Sequence, residues 1–584
     1  MYGVRVRFAG APPPEQWIPR LRASDFDGAG GSLPRVQAAW AFPCTSTWFG
    51  GDIDRVTAIP FSSVDPHTHR VSFPRRYNAA VDLVERNLFE GRASKVAYRD
   101  DRGSLTYAGL AERVNRAGNM LRALGVMPEQ RVALGLLDTV DFPAVFLGAM
   151  KIGAVPVPLN TLLSPVDYAY LVSDSRAPVL VVSDAILPKL AEAIVTTTSL
   201  RNVIVAETVL GGGTANYPGL EALLSSASTE LEAADTTPDD VAFWLYSSGS
   251  TGSPKGAVHL HSHLMHTAAL YARGVLGLRE DDVVFSAAKL FFAYGLGNGL
   301  TFPLSVGATT VLMTERPTPT SVAKRLREQA PTVFCGVPTL FASMLADDAI
   351  DHASASSVRV SVSAGEALPV HVGERWRARF GTDILDGIGS TEMLHIFLSN
   401  RPGDIVYGTS GRPVPGYDLK LVGDDGEPVV DGEEGSLWVR GPSASTGYWN
   451  QRDKSLATFH GPWTRTGDRY VRDARGYYTY SGRSDDMLKV GGIWVSPFEV
   501  ESALGAHDAV LEAAVVGHAD EGGLVKPKAF VVLKDPKAPR DGLEAELKAW
   551  VKDRLAPFKY PRWIEVVAEL PKTATGKIQR FRLR

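Results

Sequence analysis

A short run of small and hydroxylated residues ends in a lysine and suits the binding of phosphate groups. The chain reads Tyr-Ser-Ser-Gly-Ser-Thr-Gly-Ser-Pro-Lys-Gly from Tyr246 to Gly256, directly after an apolar strand predicted over 241–245. Glycines let the backbone turn tightly with its N–H groups pointing inward, hydroxyls add donors, and the lysine adds positive charge. The common P-loop needs Ser or Thr after its lysine, whereas Gly256 follows Lys255. We therefore predict a triphosphate-binding loop of another kind.

Further polar and glycine-rich segments follow in a fixed order. They are Ser363–Leu368, Asp386–Glu392, Thr464–Asp468, Gly482–Asp486, Lys489–Gly492 and Pro571–Lys577. The first two come after predicted strands, and open parallel sheets bind ligands at the carboxyl ends of their strands. We expect these segments to converge on one site.

The elements that would position these segments follow an α/β pattern from about Tyr77. Apolar strands are predicted over 131–137, 155–159, 179–182 and 202–205, with helices over 142–152, 166–173 and 190–196 between them. The pattern resumes at Val241, with a later strand over 332–336 and a helix over 370–380. This alternation predicts an α/β fold, with a large N-terminal portion of parallel sheets covered by helices.

The predicted secondary structure changes in character twice towards the C-terminus. Short alternating strands with Gly and Asp turns predict a small antiparallel β subdomain over about 408–485, within a large domain over 73–485. Helices and strands then predict a small α+β C-terminal domain over 486–584. From Val525 onwards, 15 basic residues face 7 acidic ones, which favours a polyanionic ligand for this end.

The first 72 residues lack hydrophobic periodicity. Up to Pro74 there are nine prolines, and the first lysine of the chain is Lys95. We expect a poorly ordered N-terminal extension and a natural start downstream of Met1.

Composition excludes several classes of protein. The net charge of −4 argues against a nucleic-acid binder, and the two cysteines, Cys44 and Cys335, cannot form a disulfide framework or a cysteine metal set. We expect a cytoplasmic protein, monomeric or homodimeric. The uncharged run over 290–314 is long enough for a membrane span, but its glycines and Pro303 favour a buried strand–loop–strand passage.

Taken in order, these motifs resemble the adenylate-forming superfamily of acyl-CoA synthetases, carrier-protein adenylation domains and luciferases, from about Tyr77 to Arg584. The resemblance implies that ATP activates a carboxylic acid as an acyl-adenylate, from which a thiol displaces AMP. ATP and coenzyme A are then co-substrates, and Mg²⁺ is the cofactor.

The resemblance also implies roles for single residues. The phosphates of ATP would bind Ser247, Ser248, Gly249, Ser250, Thr251, Gly252 and Lys255. Glu392 would bind Mg²⁺ and Thr391 the α-phosphate, while Lys577 would stabilise the adenylation transition state. The adenine would lie beside Glu366, Asp386, Gly387 and Ile388, and the ribose would bind Asp468 with Arg483.

The C-terminal motifs resemble a hinge and a thiol channel. Asp485 matches the hinge about which the small domain rotates between two half-reactions. In one orientation Lys577 would reach the adenylate. In the other, Lys489, Gly491 and Gly492 would leave a slot for the pantetheine arm of coenzyme A.

The expected acid pocket is aromatic and carries no formal charge. It would include Ala293, Tyr294, Gly389 and His395, walls that suit a flat uncharged ring better than an amino acid. This constellation is similar to that of benzoate–CoA ligases. Hydroxybenzoate– and aminobenzoate–CoA ligases, a protein that loads an aryl acid onto a carrier-protein thiol, and a non-catalytic nucleotide sensor are the alternatives. The sensor is disfavoured because Lys577, Glu392 and Asp468 are all present.

The cluster of His259, His261, His263 and His266 has two interpretations. It resembles a metal site, but no carboxylate is interleaved. We expect instead the end of a strand that runs into the start of a helix.

Overall fold

A computed structural model describes residues 61–207, 216–247, 254–483, 486–490, 493–521, 524–537, 539–556, 558–572 and 578–584. These residues fall within one compact unit, Ile59–Arg584. Residues 1–60 of the expected N-terminal extension lie outside the described residues.

Residues 61–72 are ordered, so the predicted boundary at residue 72 is wrong. Strands Ser63–Val64 and Val71–Ser72 form a small antiparallel hairpin. The backbone N–H of Ser62 donates to Oδ2 of Asp82 at 3.2 Å, and the Tyr77 hydroxyl donates to the same oxygen at 2.9 Å. Because Asp82 is buried, it needs such donors, and this need fixes the segment against the domain.

The first large sheet is parallel and four-stranded, as predicted. In spatial order its strands are Val155–Pro158, Arg131–Gly135, Val179–Ser183 and Asn202–Ala206. Successive residues face opposite sides, so that Val181 packs with the helices Tyr107–Ala123 and Asp141–Lys151, and Val182 with the helix Pro165–Ser175. The remaining helices of this region are Ala79–Phe89, Ala191–Thr196 and Leu220–Ser226.

The second large sheet has nine strands and is parallel except at its edges. Its spatial order is Arg412–Pro413, Ile396–Ser399, Ile384–Gly389, Val360–Ser363, Val333–Gly336, Val283–Ser286, Thr309–Val311, Val96–Asp100 and Gly103–Thr106. Helices cover both faces. Pro319–Gln329, Pro338–Ala346 and Val370–Phe380 pack on one face, and the segments Ala268–Arg273 and Phe302–Val306 on the other.

The α/β pattern predicted to resume at Val241 begins with two antiparallel strands instead of parallel ones. Strands Val241–Ser247 and Lys255–Leu260 form an antiparallel hairpin with Ser247 opposite Lys255. A parallel pair would need a crossover of about a dozen residues or more, and the connecting loop is shorter than that. The helix His261–Thr267 follows at once, which confirms the strand-to-helix interpretation of the histidine cluster.

The expected strand–loop–strand passage after Leu290 is also wrong. The chain forms the helix Ala293–Leu296, a π-helical turn Gly297–Thr301 and the helix Phe302–Val306 before it reaches the strand Thr309–Val311. A Cβ atom on Gly297 would lie 2.3 Å from Cδ2 of His395, so this glycine reflects close packing and not a break in the helix. Across the described ranges, no helix is long and apolar enough to cross a membrane.

The antiparallel subdomain and the C-terminal domain are confirmed. The former contains strands Asp418–Val422, Glu434–Arg440, Phe459–His460, Trp463–Arg472 and Tyr478–Arg483 and the helix Arg452–Thr458. The latter contains the hairpin Leu488–Val490 and Ile493–Val495, helices Pro497–Gly505 and Leu543–Lys552, and a sheet of strands Val510–Ala519, Val525–Leu533 and Trp563–Val566.

Candidate active site

The predicted phosphate loop connects the two strands of the antiparallel hairpin in the sequence. Ser247 and Lys255 pair across its two strands, at the point where the loop leaves and re-enters the hairpin. The loop residues Ser248, Gly249, Ser250, Thr251 and Gly252 lie outside the described residues. The Lys255 ammonium lies 4.7 Å from the centroid of the Tyr448 ring, an attractive cation–π distance.

Tyr448 connects this lysine with Glu392. Its hydroxyl donates to Oε1 of Glu392 at 2.7 Å. Burial, and then the nearby carboxylate, raise the pKa of Tyr448, so the phenol stays protonated and remains a donor. Sequence reasoning missed Tyr448. The Gly447-Tyr448-Trp449 run was a visible signal, but nothing local indicates a partner 56 residues away.

Thr391, which precedes Glu392, is held by a histidine of the hairpin. Nε2 of His259 lies 2.8 Å from the backbone carbonyl of Thr391. Because a carbonyl only accepts, Nε2 carries a proton, and burial lowers the pKa of His259 to about 4, so the ring is neutral near pH 7. The backbone N–H of Ser445 donates to the carbonyl of Glu392 at 2.7 Å. These bonds fix the turn that carries Thr391 and Glu392.

The predicted adenine segment is the strand Ile384–Gly389 of the second sheet. Asp386 is buried, and its Oδ2 accepts from the backbone N–H of Leu368 at 3.4 Å. Gly387 and Ile388 pair with Ser399 and Leu398 of the next strand. Glu366 stands near this edge, with Oε2 accepting from the Thr339 hydroxyl at 3.0 Å.

The predicted ribose site is formed by two neighbouring strands of the antiparallel subdomain. Asp468 lies opposite Arg483, whose Nη1 donates to Oδ1 of Asp468 at 3.2 Å. The Asp468 side chain is 10% exposed, whereas the Arg483 side chain is 42% exposed. The structure therefore brings the two predicted residues together and leaves the carboxylate at the edge of solvent.

The acid-pocket residues meet at the carboxyl ends of the second sheet. Ala293 begins the short helix Ala293–Leu296 and is partly exposed. The Tyr294 hydroxyl donates to the carbonyls of Val362 at 2.9 Å and Gly336 at 3.2 Å. A Cβ atom on Gly389 would lie 2.4 Å from the carbonyl oxygen of His395, so only glycine allows this approach of the two strands.

His395 is buried in an aromatic environment. Its ring lies 4.4 Å from that of Phe302, 5.4 Å from that of Tyr271 and 5.7 Å from that of Tyr294, measured between centroids. Its Nε2 lies 3.3 Å from the carbonyl of Tyr294. Burial lowers the pKa of His395 to about 3, so the ring carries no charge at neutral pH.

The remaining predicted residues belong to the C-terminal domain. Asp485, Gly491, Gly492 and Lys577 lie outside the described residues, and Lys489 pairs with Trp494 through the backbone. A bridge between Lys572 and Ile578 flanks the segment that contains Lys577. Beyond it, Arg580 forms a two-pronged ion pair with the buried Glu501, with Nε–Oε1 at 3.0 Å and Nη2–Oε2 at 2.6 Å.

Comparisons with known proteins identify the class. The family model for the AMP-binding enzyme matches residues 85–449, and that for the AMP-binding enzyme C-terminal domain matches residues 499–577. The chain belongs to this family of adenylate-forming enzymes.

Its relatives include enzymes that activate aryl acids. The chain is 60% identical over 516 residues to a benzoate–CoA ligase from Thauera aromatica, covering 88% of this chain and 97% of that protein. It is 53% identical over 519 residues to a 4-hydroxybenzoate–CoA/benzoate–CoA ligase from Rhodopseudomonas palustris, covering 87% and 94%. The crystal structure of a benzoate CoA ligase from Burkholderia xenovorans is 56% identical, with a TM-score of 0.81, and covers 87% of this chain and 100% of that chain.

Proposed function

We propose that this protein joins benzoate to coenzyme A at the expense of ATP. In the first half-reaction a carboxylate oxygen of benzoate attacks the α-phosphate, and pyrophosphate leaves with the electrons of the broken P–O bond. In the second, the thiol of coenzyme A attacks the acyl carbon of benzoyl-adenylate, loses its proton and displaces AMP. The similarity to benzoate–CoA ligases over most of the chain supports this reaction.

The observation that carries the choice of acid is the uncharged aromatic wall beside Glu392. Tyr294 and the neutral His395 form this wall. Burial also raises the pKa of the nearby Asp386 to about 8, so this carboxyl is mostly protonated at pH 7. An amino acid would need an ionised acidic partner for its ammonium group, whereas a benzoate ring needs only apolar contact.

The residues around Glu392 fit the binding of ATP with Mg²⁺. A carboxylate is the hard oxygen ligand that Mg²⁺ takes in nucleotide sites, together with phosphate oxygens. The Tyr448 bond occupies Oε1 of Glu392 and orients the group. When bound, Mg²⁺ supplies charge neutralisation at the phosphates. Lys255 and Ser247 would bind the outer phosphates, Thr391 the α-phosphate, and Asp468 with Arg483 the ribose.

The second half-reaction requires the C-terminal domain to turn about Asp485. Lys577 would serve adenylation, and Lys489, Gly491 and Gly492 would line the pantetheine channel after rotation. The excess of 15 basic over 7 acidic residues from Val525 onwards favours the phosphates of coenzyme A. Both co-substrates are cytoplasmic metabolites, so we place the reaction in the cytoplasm.

Release of AMP across a panel of acids tests this function. The panel contains benzoate, the three hydroxybenzoates, 2-aminobenzoate and short fatty acids, each with ATP, Mg²⁺ and coenzyme A. We expect the highest kcat/KM for benzoate and formation of benzoyl-CoA in equal amount to AMP. Adenylation without turnover of free coenzyme A would favour loading of a carrier protein instead.

A second substrate, 4-hydroxybenzoate, is favoured by one specific comparison. The Rhodopseudomonas palustris relative, 53% identical, is described as acting on both 4-hydroxybenzoate and benzoate. The same panel distinguishes the two acids. If the pocket buries the 4-hydroxyl group without a polar partner, the affinity for 4-hydroxybenzoate falls below that for benzoate.

A further inference from the structure

Asp138 and Lys289 form a buried contact behind the acid pocket. Asp138 follows the strand Arg131–Gly135 of the first sheet, and Lys289 directly precedes the pocket segment 290–295. Their side chains are only 5% and 13% exposed, with Nζ of Lys289 4.0 Å from Oδ2 of Asp138. Neither residue belongs to a motif that the sequence analysis singled out.

Each of the two side chains also forms hydrogen bonds with backbone groups. Oδ1 of Asp138 accepts from the N–H of Leu290 at 3.2 Å. Nζ of Lys289 donates to the carbonyl of Glu315 at 2.8 Å and to that of Met313. The contact thus joins the first sheet, the start of the pocket segment and the end of the strand Thr309–Val311.

The backbone between this contact and the pocket is short and tightly turned. Phe292 N–H donates to the carbonyl of Lys289 at 3.0 Å, and a Cβ atom on Gly295 would lie 2.0 Å from that same carbonyl oxygen. Leu290, at 1% exposure, fills the core in between. A shift at Lys289 is therefore passed to Ala293 and Tyr294, because close-packed segments move together.

We propose that Asp138 and Lys289 are positioning residues that set the acid-pocket wall formed by Ala293 and Tyr294, and thereby the affinity for the aryl acid. The inference rests on the proposed function, since it assigns these residues to the acid site of that reaction. Neither residue is among those proposed to line the pocket. They act by setting the position of the pocket wall formed by Ala293 and Tyr294.

Steady-state kinetics of three variants test this inference, with KM measured separately for benzoate and for ATP. Asp138→Ala leaves the Leu290 N–H without its side-chain acceptor and the Lys289 ammonium without its buried counter-charge, and Lys289→Met releases the carbonyls of Met313 and Glu315. We expect both variants to raise KM for benzoate about 10-fold and to leave KM for ATP and kcat within about twofold. Asp138→Asn keeps an acceptor for Leu290, so we expect a smaller rise of about threefold.

The matched control is Asp282→Ala, at the other end of the strand Val283–Ser286. Asp282 is 1% exposed as a side chain and pairs with Arg359 at 2.7 Å, so its loss removes a comparable buried contact. We expect it to lower stability and to leave KM for benzoate unchanged. An equal rise in both KM values, or the same kinetic effect in Asp282→Ala, would overturn the inference.

Two further outcomes remain decisive. Should Asp138→Ala fail to fold, Asp138→Asn carries the test, and an unchanged KM for benzoate in that variant refutes the positioning role. A wild-type enzyme that does not turn over benzoate refutes the proposed function instead, and the KM split is then measured with whichever acid of the panel the wild type accepts.

Discussion

The hydroxyl of Tyr448 donates a 2.7 Å hydrogen bond to Oε1 of Glu392, from a position 56 residues further along the chain. The ring of Tyr448 also lies beneath the Lys255 ammonium. One aromatic side chain thus sets the distance between a cation at the base of the phosphate loop and the carboxylate proposed to bind Mg²⁺. Outer-shell partners of this kind fix the orientation of a ligand and tune its affinity for the metal.

Removal of this hydroxyl should weaken the use of Mg²⁺. Tyr448→Phe keeps the ring beneath Lys255 and frees the carboxylate of Glu392 to rotate. We expect the Mg²⁺ concentration for half-maximal pyrophosphate release to rise about 10-fold, the usual cost of losing an outer-shell partner. Titration of activity with Mg²⁺ at constant free ATP measures this shift.

Tyr107→Phe is the control for the loss of a buried phenol. The Tyr107 hydroxyl donates to the carbonyl of Ala308 at 2.7 Å, and Tyr107 is buried in the hydrophobic core. Its removal should cost about 1 kcal/mol of stability and leave the Mg²⁺ titration unchanged. Identical titrations for Tyr448→Phe and the wild type would show that Tyr448 does not orient Glu392.

Asp468→Ala should impair the binding of ATP selectively. Charged acceptors contribute about 1.5–3 kcal/mol per hydrogen bond, so loss of the ribose contacts should raise KM for ATP at least about 10-fold. KM for benzoate should stay within about twofold, because this site lies on a different subdomain from the acid pocket. Asp424→Ala is the control, since Asp424 is 69% exposed and pairs with Arg469. A rise in KM for both substrates would argue against a ribose-binding role.

Local sequence signals predicted helices and strands well. They predicted poorly which residues contact each other when those residues are far apart in the sequence. The helix Val370–Phe380 was predicted to the residue, because its apolar periodicity and the following Gly381 are both local signals. The strand that carries Asp386 to Gly389 was likewise readable from the motif at its end. The antiparallel pairing of Ser247 with Lys255 was not, because apolar content alone does not distinguish parallel from antiparallel strands.

The same limit applies to the candidate site. Glu392, Asp468 and Tyr294 have chemically informative neighbours in the sequence, so the sequence alone suffices to propose them as site residues. Asp138 contacts Leu290 across 152 residues, and no spacing rule joins them. Such pairs depend on how the two sheets pack together, which periodicity does not report.

Lys577→Ala should separate the two half-reactions. The lysine is proposed to stabilise charge in the adenylation transition state, and loss of such a group typically costs about 100-fold or more in rate. Formation of benzoyl-CoA from pre-formed benzoyl-adenylate should stay near the wild-type rate. Single-turnover assays of each half measure the two rates, and an equal loss in both would contradict the division of labour.

A bulky residue at Gly492 should have the opposite effect. Gly492→Trp would fill the proposed pantetheine slot and leave the adenylation geometry alone. We expect benzoyl-adenylate to form at the wild-type rate and to accumulate, with transfer to coenzyme A slowed at least about 10-fold. Normal transfer in this variant would show that the thiol arrives by another path.

His395 should make the folded protein sensitive to mild acid. Burial lowers its pKa from an ordinary value of 6.5 to about 3, so above pH 6.5 the ring is neutral in both the folded and the unfolded protein. As the pH falls below 6.5, the unfolded chain gains a proton that the folded chain cannot accept. The stabilising difference is therefore complete above pH 6.5 and is lost progressively as the pH falls towards 3, at a cost of about 2 kcal/mol between pH 6.5 and pH 4.5.

Urea unfolding of wild type and His395→Phe across this pH range measures that cost. Phenylalanine keeps the packing against Phe302 and Tyr271 but cannot be protonated, so the variant should lose about 2 kcal/mol less than the wild type between pH 6.5 and pH 4.5. His460→Phe, which replaces an exposed ring, is the control for the exchange of histidine for phenylalanine itself. Parallel curves for wild type and His395→Phe would mean that His395 accepts a proton in the folded state. The neutral aromatic wall proposed for the acid pocket would then be wrong below pH 6.5.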